Sequence, residues 1–122
     1  MAKRIGGRRG LAVRVGPRGR GVFATRTFAE GETVEVCPTV EISQSGGDLA
    51  DYLFESTNDG KFLVVLGFGM LYNHSADPNV DYYQDDDETL DFVALRRVER
   101  GEELTISYGE EWWTARDEQP IG

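Results

Sequence analysis

Leu11, Val13 and Val15 recur at every second position, the period of a strand with one face buried. Gly16-Pro17-Arg18-Gly19 carries turn chemistry, and residues 21–24 read as a second short strand. Ala29-Glu30-Gly31-Glu32 marks another turn before a strand-like stretch at 33–36. Residues 61–66 read as a buried strand. The segments 79–84 and 89–98 read as a hairpin closed by Asp85-Asp86-Asp87-Glu88. A last strand is expected over 104–108 and a helical turn over 110–115. Residues 48–54 fit a helical turn and a strand equally well. Short strands at close spacing predict a mostly β fold with few short helical turns. No repeat or linker divides the chain, so we expect a tail at 1–10 and a single domain at 11–122.

Composition narrows this picture. A chain of 122 residues suits one domain, and 15 glycines favour turns and short strands. Cys37 is the single cysteine, so no internal disulfide is available, and we read it as a small core residue. His74 is the single histidine and cannot build a multi-histidine zinc site, so no metal is expected. The acidic run 85–88 lacks the glycine and terminal glutamate of a calcium loop and reads as a solvated hairpin tip. The apolar stretch 62–72 is broken by glycines and too short to cross a bilayer, so no membrane partner is expected. The basic start leads into glycine and arginine rather than an apolar leader. The expected location is cytoplasmic, or with a nuclear or nucleoid substrate, and not secreted.

Charge is unevenly placed. Eight cations, from Lys3 to Arg26, precede the first acid, Glu30. From Glu30 onward, 22 carboxylates face five cations, a balance that attracts a cationic partner. The tail carries four cations and no aromatic residue, so direct nucleic-acid binding is not expected.

Three polar segments stand out against the apolar pattern. They are Gly19-Arg20-Gly21-Val22-Phe23, Tyr72-Asn73-His74-Ser75-Ala76-Asp77-Pro78-Asn79, and Gly101-Glu102-Glu103-Leu104-Thr105-Ile106-Ser107-Tyr108-Gly109. Taken singly they read as a tight turn, a hydrogen-bonded knot and a strand ending in a packing tyrosine. Together, in this order and spacing, they resemble the hallmark blocks of the SET domain family of protein lysine methyltransferases. The resemblance covers about 11–113. The stretches Asp51-Tyr52-Leu53-Phe54 and Gly109-Glu110-Glu111-Trp112-Trp113 are similar to compact virus-encoded and bacterial members.

The resemblance implies a β-clip fold with a knot-like C-terminal substructure. It implies S-adenosylmethionine as methyl donor, S-adenosylhomocysteine as product and no metal. Tyr108 takes the catalytic position, orienting donor methyl and lysine amine rather than abstracting a proton, since a phenol near pKa 10 is a poor base at neutral pH. Cofactor contacts fall to Gly19, Arg20, Gly21, Asn73, His74, Tyr108 and Trp113, with His74 contributing mainly its backbone. Arg20 has two readings, a partner for the cofactor carboxylate or a solvent-facing side chain. Tyr52, Ile106 and Trp112 are the candidate walls of the lysine channel. Many family members carry a cysteine-rich zinc segment after the tyrosine. None stands here, so Trp112, Trp113 or a second subunit would close the channel, which makes a homodimer an open alternative. The expected substrate is a basic protein or peptide, such as a histone tail, a histone-like protein or a ribosomal protein. The alternative is a non-catalytic module of the same fold that binds basic peptides.

Overall fold

The computed structural model describes residues 10–85 and 88–108. Nine strands order this part of the chain: β1 (Leu11–Gly16), β2 (Gly19–Ala24), β3 (Thr33–Ile42), β4 (Phe54–Glu55), β5 (Phe62–Val65), β6 (Asn73–His74), β7 (Val80–Asp85), β8 (Thr89–Ala94) and β9 (Glu103–Ile106). They form a four-stranded sheet, β1-β2-β9-β6, and a five-stranded sheet, β4-β5-β3-β8-β7. Two single 3-10 turns, Ala50–Tyr52 and Gly69–Leu71, are the helical elements among the described residues. The mostly β expectation therefore holds. The predicted turn at 110–115, and any knot threaded by the chain beyond Tyr108, fall outside the described residues.

The first hairpin forms where expected, but of the alternating residues only Leu11 is buried, while Val13 and Val15 lie exposed towards the hairpin tip, beyond the core. β1 and β2 pair from Leu11↔Ala24 to Gly16↔Gly19, with Pro17 and Arg18 at the tip. Gly19 takes φ +86°, a left-handed backbone that glycine adopts at no steric cost. β7 and β8 form the predicted second hairpin, Val80↔Ala94 to Asp85↔Thr89.

Several boundaries differ from the sequence reading, each because a tertiary partner intervenes. β8 stops at Ala94 rather than 98. The Leu95 N–H leaves the ladder for the Asn79 carbonyl, and Val98 instead bridges Phe28. β3 runs to Ile42 because it changes partner midway, from β8 up to Pro38 to β5 from Thr39. Pro38 lacks an N–H, and it sits at that switch. The ambiguous stretch 48–54 is both things in turn, a 3-10 turn through Tyr52 followed by β4.

Val22, Phe28, Leu63, Tyr72, Phe92 and Leu104 are fully buried at the centre of the molecule. This one core fixes the two sheets and carries the ends of β2, β6 and β9 on its margin.

Candidate active site

β9 gathers the three polar segments. On one edge it pairs antiparallel with β2, Val22↔Leu104 and Phe23↔Glu103. On the other it pairs parallel with β6, Asn73↔Thr105 and His74↔Ile106. The Asn73 amide then ties all three together. Its Nδ2 donates to the Arg20 carbonyl at 2.9 Å and to Glu103 Oε2 at 2.8 Å. A Cβ at position 21 would collide with the Glu103 carboxylate and the Asn73 amide, so Gly21 permits this approach.

Arg18 reaches the same junction from the hairpin tip, with Nη1 3.5 Å from Glu103 Oε1. Its Nε is buried and has no hydrogen-bond partner among the described residues. The Arg18 charge is also felt at His74. Burial first, and Arg18 second, hold that imidazole below its ordinary pKa.

Tyr108 leaves the strand just past β9, which ends at Ile106 rather than 108. Its N–H donates to His74 Nδ1 at 3.0 Å instead of to a neighbouring strand. Its hydroxyl donates to the Tyr72 carbonyl at 2.9 Å. The His74 and Tyr108 rings lie 5.3 Å apart and tilted. Burial raises the Tyr108 pKa, and Tyr52, Glu103 and Tyr82 lie close enough to oppose a negative charge on it as well. The phenol therefore stays protonated at neutral pH and acts as a hydrogen-bond donor.

Of the residues expected to act together, Arg20, Gly21, Asn73, His74 and Tyr108 meet where β2, β6 and β9 adjoin, while Gly19 stands at the hairpin tip opposite Gly16. Tyr52, 46% exposed, lies close enough to oppose a negative charge on Tyr108. Ile106 is buried in the core against which Tyr108 packs. The Arg20 side chain is exposed while its carbonyl is engaged. Trp112 and Trp113 lie outside the described residues. His74 gains a side-chain role in holding Tyr108, beyond the backbone contacts expected of it.

Sequence reasoning missed four residues here. Arg18 read as a turn residue and Glu103 as part of a strand block. Tyr72 read as part of the polar segment without a role of its own. Tyr82 read as a hairpin position. The Tyr82 hydroxyl donates to the Ser107 carbonyl at 3.2 Å, and its ring stands edge-on to Phe54 at 5.0 Å. Burial, then Asp81 and Glu55, raise its pKa. No local pattern in the sequence marks Tyr82, because its role lies in the tertiary contact with the segment 107–108.

A β protein whose glycine turn, Asn-His segment and terminal tyrosine close on one strand in this way has the SET arrangement. The sequence agrees: residues 19–109 match the family model described as SET domain. The chain belongs to the SET domain family of protein lysine methyltransferases. It is 31% identical over 104 residues to a Schizosaccharomyces pombe protein named histone-lysine N-methyltransferase, H3 lysine-37 specific, covering 79% of this chain and 70% of that one. It also superposes with TM-score 0.68 on the crystal structure of a Plasmodium falciparum protein described as a histone methyltransferase. That match has 33% identity and covers 84% of this chain and 96% of the other.

Proposed function

We propose that this enzyme transfers a methyl group from S-adenosylmethionine to a lysine in a basic peptide segment, such as a histone tail. The observation that carries this reading is the junction at Asn73, where the glycine turn, the Asn-His segment and the Glu103 strand are hydrogen-bonded within reach of Tyr108.

The residues present suit the cofactor's charged amino-acid end. Arg18 keeps beside the junction a buried Nε that has no partner among the described residues, and a carboxylate is its natural acceptor. Asn73 uses only its Nδ2 within the described protein, which leaves its amide oxygen to accept from an ammonium. When bound, S-adenosylmethionine supplies a methyl group on a positively charged sulfur. Tyr108, protonated and held at both its N–H and its hydroxyl, orients the reacting groups. Tyr52 and Tyr82 flank it and present aromatic surface to the incoming lysine. Apolar ring surface also disfavours the ammonium form of a lysine, whose ordinary pKa is about 10.4, and so favours the neutral nucleophile.

The acidic balance beyond Glu30 favours a basic substrate by steering. The name of the fission-yeast relative points to a histone tail as well. The test has two parts. Calorimetry should show S-adenosylhomocysteine binding, and labelled methyl should pass from S-adenosylmethionine to lysines of basic peptides but not of acidic ones. A protein that binds basic peptides yet neither binds the cofactor nor transfers the label would refute the reading.

A further inference from the structure

Glu35 is 1% exposed near the start of β3, a position where a carboxylate is costly without a partner. Among the described residues no lysine or arginine pairs with it. A bulge at Val34 shifts the register, from Thr33↔Val93 to Glu35↔Phe92. Bulges of this kind re-aim side chains, often beside active sites. The carboxylate accepts the Tyr72 hydroxyl at 2.8 Å on one oxygen and the Phe68 N–H at 3.0 Å on the other. The backbone bends around it at Gly67, at φ +68°, where a Cβ would stand 2.5 Å from Glu35 Oε2. Glu35 therefore clamps both ends of the segment 68–72.

Tyr72 is the other half of the clamp. Its ring stacks on Phe92, with centroids 4.5 Å apart and planes at 12°. Its carbonyl is the group that accepts the Tyr108 hydroxyl. An unbroken path of hydrogen bonds and packed atoms thus runs from Glu35 through Tyr72 to the hydroxyl of Tyr108.

We propose that Glu35 is a positioning residue for methyl transfer, acting through Tyr72 to fix the carbonyl that aims the Tyr108 hydroxyl. This rests on the reading of Tyr108 given above. The sequence offers no hint of it, because a glutamate among valines in a strand reads as a solvent-facing position.

The test uses the full chain and steady-state methyl transfer to a basic peptide. Glu35→Gln and Tyr72→Phe should each lower kcat about ten- to a hundredfold with KM for both substrates nearly unchanged. Added to Tyr108→Phe, either change should cost nothing more, since the hydroxyl it aims is gone. Wild-type kcat in a folded Glu35→Gln variant overturns the proposal, as do losses that multiply in the Tyr108→Phe background. If Glu35→Gln does not fold, Tyr72→Phe, which keeps the ring and its stack on Phe92, decides in the same way. Full activity in Tyr108→Phe alone would sink the assignment of Tyr108 and this proposal with it. Impairment there beside a normal Glu35→Gln would sink only the role of Glu35.

Discussion

Buried polar groups on the five-stranded sheet close on one another, whereas those where β2, β6 and β9 meet keep capacity to spare. In the first region Thr89 donates to Asp91 at 2.8 Å, and both Glu35 oxygens are occupied. Asn79, at the seam between the sheets, is used at both ends of its amide. Its Nδ2 donates to the Glu103 carbonyl, and its Oδ1 accepts the Thr105 N–H. Six residues earlier in the same motif, among the described residues Asn73 engages only its Nδ2, and Arg18 beside it keeps a buried Nε with no partner there. A complete network is what a fold needs, while an incomplete one at a buried edge calls for a ligand. Neighbouring asparagines of one motif thus hold different offices, one structural and one for binding.

Substitutions can break this division in order of size. Tyr108→Phe should reduce methyl transfer about a hundredfold. Its stability loss should be about 1 kcal/mol, the worth of one hydrogen bond. Labelled transfer and thermal melting read the two effects separately. Asn79→Ala should do the reverse, leaving the Thr105 N–H and the Glu103 carbonyl unpaired at a cost of about 2–3 kcal/mol in urea unfolding. The cofactor affinity of the folded fraction should be retained. A variant that kept its stability and lost affinity would erase the contrast between the two asparagines. Arg18→Gln should weaken S-adenosylhomocysteine about tenfold in calorimetry, as expected for one charge-assisted contact. It should barely affect 5′-methylthioadenosine, which has no amino-acid end. Equal weakening of both ligands would remove Arg18 from that contact.

The smallest effect is a pH dependence. The folded protein holds His74 below its ordinary value of 6.5, so a proton binds the unfolded chain first. The unfolded state then carries more protons, and stability rises with pH in this window. The His74 contribution is whole above pH 6.5 and is lost as pH falls from there through the folded value. Denaturant melts between pH 7.5 and 5.5 should show this slope, and His74→Gln should flatten it.

Both hairpins were legible because period-two patterning and turn residues are local properties of the chain. The motif residues were legible because their order and spacing are read directly from the sequence. Strand ends were less so. β8 ends at Ala94 and β9 at Ile106 because Asn79 and His74, distant in sequence, capture the N–H groups of Leu95 and Tyr108. Arg18 and Tyr82 were missed for a related reason, since their significance lies in what faces them across the sheets.

The sequence by itself determined a small, mostly β domain of the SET family and named Tyr108, Asn73 and the glycine turn as its chemical parts. These follow from alternation, glycine placement and motif order, all of which are properties of the linear chain. Only the tertiary structure decided that the guanidinium of Arg18 rather than that of Arg20 reaches the junction, that His74 holds the Tyr108 backbone, and that Glu35 stands behind Tyr72. Those outcomes depend on a bulge, a parallel pairing and a hairpin tip that bring residues up to 85 positions apart into contact. Long-range contacts of this kind form only when the common core closes, because each fills space that a different segment leaves.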